Sequence, residues 1–312
     1  MSNLNLRHNN VRQTSSVWYH IGAIVAILAW GASFIFTKIL LPVLNPVEIY
    51  LLRCAIAYLV LLLLTKGHVK SHHYSHELLF LFCGVCGGSV YFITENTSLL
   101  YTSTTNVSLI TSTAPLITAF LVGLIYKEER PNRWIVIGSV VAFVGVTMVI
   151  FNGASADSRV GFNLLGDGLA MLSAVCWSLY SLLLRRLSPF YSAMFITRKT
   201  FFYGFLTALP FLYTSESSFS WSVLADWSVW VNLLFLGLIA SSLAFVVWAA
   251  VVGRLGAVKA GNYLYFQPIV TLAIAAVMLG EKITFMGLGG CVVTIAGIYV
   301  GESLARRAES RC

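Results

Sequence analysis

Long apolar runs separated by short polar segments dominate this chain. Ten can be read, at about 20–40, 47–65, 77–99, 103–125, 133–151, 166–185, 192–213, 230–252, 259–279 and 284–303. Each approaches the roughly 20 residues that a helix needs to cross the hydrocarbon core of a bilayer. Membrane-spanning strands would alternate over short segments, whereas these runs are continuous. The pattern predicts an all-α integral membrane protein with ten transmembrane helices.

The pattern also repeats. Sliding the sequence by 153 lays Leu81, Phe82, Gly84, Ser89, Pro115, Thr118 and Glu128 onto Leu234, Phe235, Gly237, Ser242, Pro268, Thr271 and Glu281 without a gap. Matches of Leu and Phe carry little weight in so apolar a chain. A mid-helix proline and a helix-ending glutamate in one register carry more. In the leading helices Trp30 pairs with Trp177, each followed eight residues later by a base, Lys38 or Arg185. Arg53 pairs in the same way with Arg198, and Tyr58 with Tyr203. Five spans per copy is an odd number, so the two copies should insert in opposite orientations, the architecture of alternating-access transporters. The reading divides the chain into a cytoplasmic tail (1–19), a first five-helix repeat (20–152), an outer linker (153–165), a second, inverted repeat (166–303) and a cytoplasmic tail (304–312).

Composition agrees: 58% hydrophobic and 10% charged residues over 312 positions exclude an ordinary soluble domain. The first apolar run follows a polar start, is too long for a signal-peptide core and lacks a small-residue cleavage pattern, so it reads as the first anchor. The net charge of +8 could suggest nucleic acid, but its distribution does not. Fourteen Lys and Arg fall in one set of loops and tails and two, Arg159 and Lys282, in the other. This bias puts both termini in the cytoplasm of a multi-pass protein of the inner (plasma) membrane. A nucleic-acid binder would cluster its bases on one soluble face.

Two candidate metal motifs are weak. Cys83 and Cys86 form a CxxC on an apolar helix without a second ligand pair, and the other thiols are scattered. His68, His72, His73 and His76 crowd one inner loop, with Glu77 as the sole carboxylate neighbour. The expectation is no metal and no cofactor. Basic groups within spans are costly, roughly 2.5–3.5 kcal/mol at the bilayer centre. Arg53 and Arg198 are expected to play structural roles, snorkelling toward headgroups, in preference to forming an electropositive lining.

At this point the residues carry a resemblance. Ala-Trp-Gly-Ala-Ser-Phe at 29–34, the Arg53 helix, Ser-Thr-Ala-Pro-Leu at 112–116, Tyr-Lys-Glu-Glu-Arg at 126–130, Gln-Pro-Ile at 267–269 and Leu-Gly-Glu-Lys at 279–282 resemble the drug/metabolite transporter superfamily, and within it the ten-helix EamA-type exporters. The resemblance spans about 20–303. It implies a basket of two inverted repeats around a central cavity lined by the first, third and fourth helices of each. It also implies peripheral fifth helices, a possible site of homodimer contact. The small multidrug members couple to protons through a glutamate in their first helix; here that helix has no acidic residue, so that mechanism does not carry over. Glu128 and Glu281 occupy the family's helix-end position and are assigned structural roles.

Helical spacing singles out lining candidates. Gly84, Gly88, Tyr91, Glu95 and Ser98 share a face of the third helix. Glu95, followed by Asn96, is the only carboxylate well inside a span, which makes it a functional candidate. It could bind a substrate amine or exchange a proton, since burial penalises the charged form of a carboxyl; the plainer alternative is an ion pair with Arg53, Arg198 or Lys199. The fourth helix carries a polar ladder from Thr102 to Thr113, of which Ser108, Thr111 and Ser112 are chosen as cavity wall. Some of those hydroxyls would serve the backbone around Pro115 instead. Tyr263 and Gln267 precede Pro268 in the second copy. Trp30, Phe34, Tyr91, Trp177, Tyr180 and Trp248 supply an aromatic wall.

The expected function is a secondary transporter, an exporter of a small amphipathic metabolite such as an amino acid, with the lipid bilayer and the small molecule as its partners. The alternatives are a membrane-embedded transferase-type enzyme and an importer or exchanger of a nucleotide-linked or sugar metabolite. The enzyme would need paired Asp-rich motifs or a His/Asp constellation, and no P-loop is present.

Overall fold

The computed structural model describes residues 2–65, 74–101, 104–125, 132–154, 163–214, 223, 225–279 and 285–309. Among them there are only helices and turns, and no strand. The first helix, α1 (Ser2–Leu40), is followed by α2 (Pro46–Leu64), started by a capping box. Asn45 Oδ1 accepts from the Val47 and Glu48 amides at 3.0 and 2.9 Å, and Glu48 Oε2 accepts from the Asn45 amide at 2.9 Å. Donors that hydrocarbon could not serve are satisfied there.

The third apolar stretch forms α3 (Tyr74–Gly84) and α4 (Val90–Tyr101), joined through a π-helical turn at Val85–Ser89. The fourth forms α5 (Thr104–Thr111) and α6 (Ala114–Ile125), broken just before Pro115. Next come α7 (Arg133–Ala154), α8 (Leu164–Leu187) and α9 (Ala193–Thr214). The eighth stretch forms α10 (Trp227–Leu234) and α11 (Ala244–Leu255) across a π-helical segment at Phe235–Leu243. The ninth is α12 (Ala257–Gly261), a 3-10 turn at Asn262–Phe266, and α13 (Gln267–Leu279), again broken before its proline. The last helix is α14 (Phe285–Glu309).

Six rods among the described residues are long and apolar enough to cross a membrane: Val17–Leu40, Pro46–Leu64, Tyr74–Tyr101, Leu164–Leu187, Trp227–Leu255 and Leu288–Ala305. The others differ for local reasons. The fourth and ninth stretches are interrupted, and α9 is long enough but holds Arg198, Lys199 and Pro210. The outer surface is apolar, unlike that of a soluble protein. Leu63, Phe120 and Val292 lie exposed on the outside, while Arg53, Ser89, Asn96, Thr200 and Ser241 are buried. Hydrocarbon is the solvent that makes this arrangement favourable.

Close approach sets the packing around the π turns. A Cβ on Gly84 would stand 2.6 Å from the Gly204 amide nitrogen of α9, and one on Gly237 would stand 2.6 Å from the Ile56 side chain of α2. The helix contacts are reciprocal. α4 packs on α8 as α11 packs on α1, and the first π turn lies on α9 as the second lies on α2. α6 meets α8 as α13 meets α1, while α2 with α9, α6 with α12 and α7 with α14 form seams. The α7–α14 seam is very tight, a Cβ on Gly145 falling 2.4 Å from the Thr294 amide nitrogen.

Candidate functional site

The interrupted helices converge with α1 and α8 on a narrow internal cleft. α1 contributes Trp30 and Ser33; α4 contributes Tyr91, Phe92 and Glu95; α5 contributes Thr111. Across from them stand Ala174 and Trp177 of α8, Phe245 of α11, Leu264 of the 3-10 turn and Gln267 at the start of α13. A discontinuous helix leaves polar backbone only where protein or a cavity surrounds it, and here the 3-10 turn lines the cleft through Leu264 while residues close to the other breaks, Tyr91, Thr111 and Phe245, line it too.

Aromatic rings form most of its wall. Trp30 and Trp177 meet edge-to-face with centroids 4.9 Å apart, and Trp30 meets Trp248 at 5.2 Å. Tyr91 lies 5.2 Å from Trp177, and Phe245 lies 5.6 Å from both Trp30 and Trp177. The indole of Trp30 donates to the Ala240 carbonyl at 2.8 Å, inside the second π segment, where the widened turn loosens the helix's own ladder. Trp177, its counterpart in the second copy, has a buried Nε1 with no partner among the described residues.

The charged centre is Glu95. Its carboxylate accepts a 2.6 Å hydrogen bond from Tyr91 Oη one helical turn earlier and borders the cleft. Of the three bases that could pair with it, Lys199 instead binds Glu77 at 2.8 Å, with Tyr203 donating to the same carboxylate at 2.5 Å. Arg198 donates to Thr65 Oγ1 at 2.5 Å. Arg53 does not snorkel: it is 1% exposed and turned into the bundle, which corrects the expectation drawn from its depth along α2. Its Nε donates to Ser241 Oγ at 2.9 Å, and its guanidinium lies 4.2 Å from the Phe92 centroid. Burying a charge is tolerable where an aromatic face and a hydroxyl replace part of its hydration.

Six sequence-chosen residues line the cleft: Trp30, Tyr91, Glu95, Thr111, Trp177 and Gln267. The rest stand elsewhere. Trp248 and Tyr180 are wholly buried and fill space behind the wall, Tyr180 packing on Gly87. Phe34 belongs to a separate cluster with Leu99, Val107 and Ala170. Asn96 donates to the Pro46 carbonyl at 3.2 Å, and Tyr263 contacts His20 of α1. Ser112 donates to the Ser108 carbonyl at 2.6 Å, Thr113 to the Ile110 carbonyl at 2.6 Å and Thr111 to the Val107 carbonyl at 2.9 Å. Ser108 is buried with its hydroxyl unpartnered among the described residues. The polar ladder thus serves the break before Pro115 more than a wet wall.

Ser33, Phe92, Ala174, Phe245 and Leu264 were not anticipated. Phe92 and Phe245 are 153 apart, as are Thr111 and Leu264, so the repeat register already carried that signal. Pro268, like Pro115, is the second residue of its helix, where a missing amide is tolerated. Glu128, Glu281, most of the linker and the histidines at 68, 72 and 73 lie outside the described residues. His76 contacts Tyr191 Oη at 2.9 Å. Among the described residues no cluster of three or more His, Cys, Asp or Glu could hold a metal ion.

A helical membrane protein with a half-polar, half-aromatic cleft at the junction of broken helices belongs to the class of solute transporters. The model of the EamA-like transporter family matches residues 17–151 and 164–301, and the chain belongs to that family, whose members are transporters and not enzymes. It is similar to an uncharacterized transporter of Archaeoglobus fulgidus, 26% identical over 90% of this chain and 96% of that protein. It is also similar to a protein of Streptantibioticus cattleyicolor named "Probable terminal-alkyne amino-acid exporter", 23% identical over 96% and 98% of the two chains. A crystal structure of TM-score 0.75, 20% identical, covers 94% of this chain and 99% of that one and shares the fold.

Proposed function

We propose that this transporter exports a small amphipathic metabolite carrying an amine and an apolar body, such as an amino acid or a related compound. Glu95 carries the reading, as an intramembrane carboxylate held by Tyr91 at the edge of an aromatic cleft. A cation there gains from the carboxylate and from the faces of Trp30 and Trp177, while Ser33, Thr111 and Gln267 supply polar edges. The relative named as an amino-acid exporter agrees with this choice, at low identity.

The reading includes ten crossings in two inverted five-helix repeats, 20–152 and 166–303, with a linker at 153–165. Reciprocal helix contacts support a two-fold relation between the halves, because such an axis makes each contact recur with its partners exchanged. The loop charge bias supports tails 1–19 and 304–312 in the cytoplasm and placement in the plasma membrane. Alternating access follows from rocking one repeat against the other around the cleft.

The test is flux in proteoliposomes against a panel of amino acids, amines, sugars and nucleotide-linked compounds, chosen from metabolites that accumulate in cells lacking the protein. Uptake of amine-bearing compounds alone is the expected result; selective flux of a sugar or nucleotide-linked compound overturns it. If Glu95 also carries the coupling proton, Glu95→Gln retains binding but loses pH-dependent flux.

A further inference from the structure

A desolvated cation stands directly behind the cleft wall. Arg53 is 1% exposed, and its Nη2 has no hydrogen-bond partner among the described residues. Its one hydrogen-bond partner among the described residues is Ser241 Oγ, and its guanidinium rests over the ring of Phe92. Phe92 is itself a lining residue, next to Tyr91 and three before Glu95. The residue whose ring holds the cation therefore also borders the cleft. Arg53 is also near enough to feel the charge of Glu95. A cation–π contact is a weak hold on a guanidinium compared with a carboxylate that can accept two parallel hydrogen bonds from its fork.

The geometry points to Arg53 as the anion pole of a zwitterion site. When Phe92 turns aside, Arg53 receives the carboxylate of a substrate whose ammonium sits at Glu95. This rests on the reading that the cleft takes a small amine. The pole exists in one half only. Arg198, the counterpart of Arg53, donates to Thr65 and lies 5.2 Å over Phe195, none of which lines the cleft. One cationic and one anionic pole fix the substrate in a single orientation, and they discriminate an amino acid from the amine that lacks its carboxylate.

Three probes with one apolar body isolate the two poles: L-phenylalanine, 2-phenylethylamine and 3-phenylpropionate, titrated onto the purified full-length protein. The wild type is expected to prefer L-phenylalanine over 2-phenylethylamine by about tenfold or more, the effect of a charged hydrogen bond. Arg53→Gln is expected to bring that ratio to about one, with amine binding kept within about threefold, and Arg53→Lys, which keeps the charge but not the fork, to give an intermediate ratio. An unchanged ratio in a folded Arg53→Gln protein overturns the anion pole and leaves the amine cleft standing. Failure of all three probes to bind the wild type overturns both.

A measurement on the wild type covers variants that do not fold. Modification of Arg53 by phenylglyoxal, read by peptide mass, is expected to be slowed by L-phenylalanine and not by 2-phenylethylamine. Equal protection by both overturns the assignment. So does an Arg53 that is never modified, because Phe92 then never uncovers it.

Discussion

Glu95, Tyr91 and Thr111 in the first half of the chain stand where the second half has Trp248, Ala244 and Leu264. Ser33 stands where the second half has Tyr180. The backbone does the reverse. Both halves place a π-helical turn at the same register, 85–89 against 235–243, and both break a helix immediately before the equivalent proline. The contrast fits the proposed function: repeated backbone interruptions suit two halves that move and pack alike. Unequal side chains around the cleft suit a ligand that is not symmetric. Gln267, opposite Ala114 in register, is the one polar lining group supplied by the second half alone.

The comparison breaks most visibly at Glu95. Glu95→Gln should lower flux in proteoliposomes by more than about tenfold, the scale of one lost charged interaction, whereas Trp248→Phe at the paired position should retain most of it. Comparable losses from both would mean that the carboxylate has no special role. The shared scaffold is tested at the equivalent glycines. Gly84→Ala drives a methyl into the α9 backbone, and Gly237→Ala drives one against Ile56 Cβ, an atom fixed to the α2 backbone; each should cost about 1–3 kcal/mol of stability. Thermal melting in detergent reads both, and a clear drop in only one of the two variants would refute the shared scaffold.

The two tryptophans sharpen the contrast further. Trp30→Phe leaves the Ala240 carbonyl without its donor and should cost about 1–2 kcal/mol, while Trp177→Phe removes an indole nitrogen that has no partner among the described residues and should cost less. Chemical denaturation of the two variants side by side decides it. The smallest effect is expected at Thr111→Val. Its hydroxyl already serves the Val107 carbonyl, so flux should change by no more than about threefold; a large loss would assign that hydroxyl to substrate.

Much of this was legible in the residues. Apolar runs of membrane length marked where helices lie, and the proline register marked equivalent positions in the two halves; the third, fourth, eighth and ninth runs read as continuous spans, and the structure interrupts each of them. The azimuth of Arg53 was not legible, because position along a helix says how deep a side chain starts and nothing about which neighbour it faces. Ser112 and Thr113 misled for a related reason: hydroxyls beside a proline satisfy carbonyls within their own helix, a local use that composition cannot separate from a wet wall. Trp248 and Tyr180, expected in the wall, pack among its aromatic rings but do not line the cleft.

The exchange pattern of the helix contacts bears on energetics. If α4 loosens from α8 while α11 tightens on α1, the bundle surrenders and regains surfaces of matching shape, so the two extreme conformers differ little in free energy. The seams at α2–α9 and α7–α14, which map onto themselves, are then the natural fulcrums. On that reading the cleft positions at which the copies differ, Glu95 against Trp248 foremost, would decide which conformer rests without cargo.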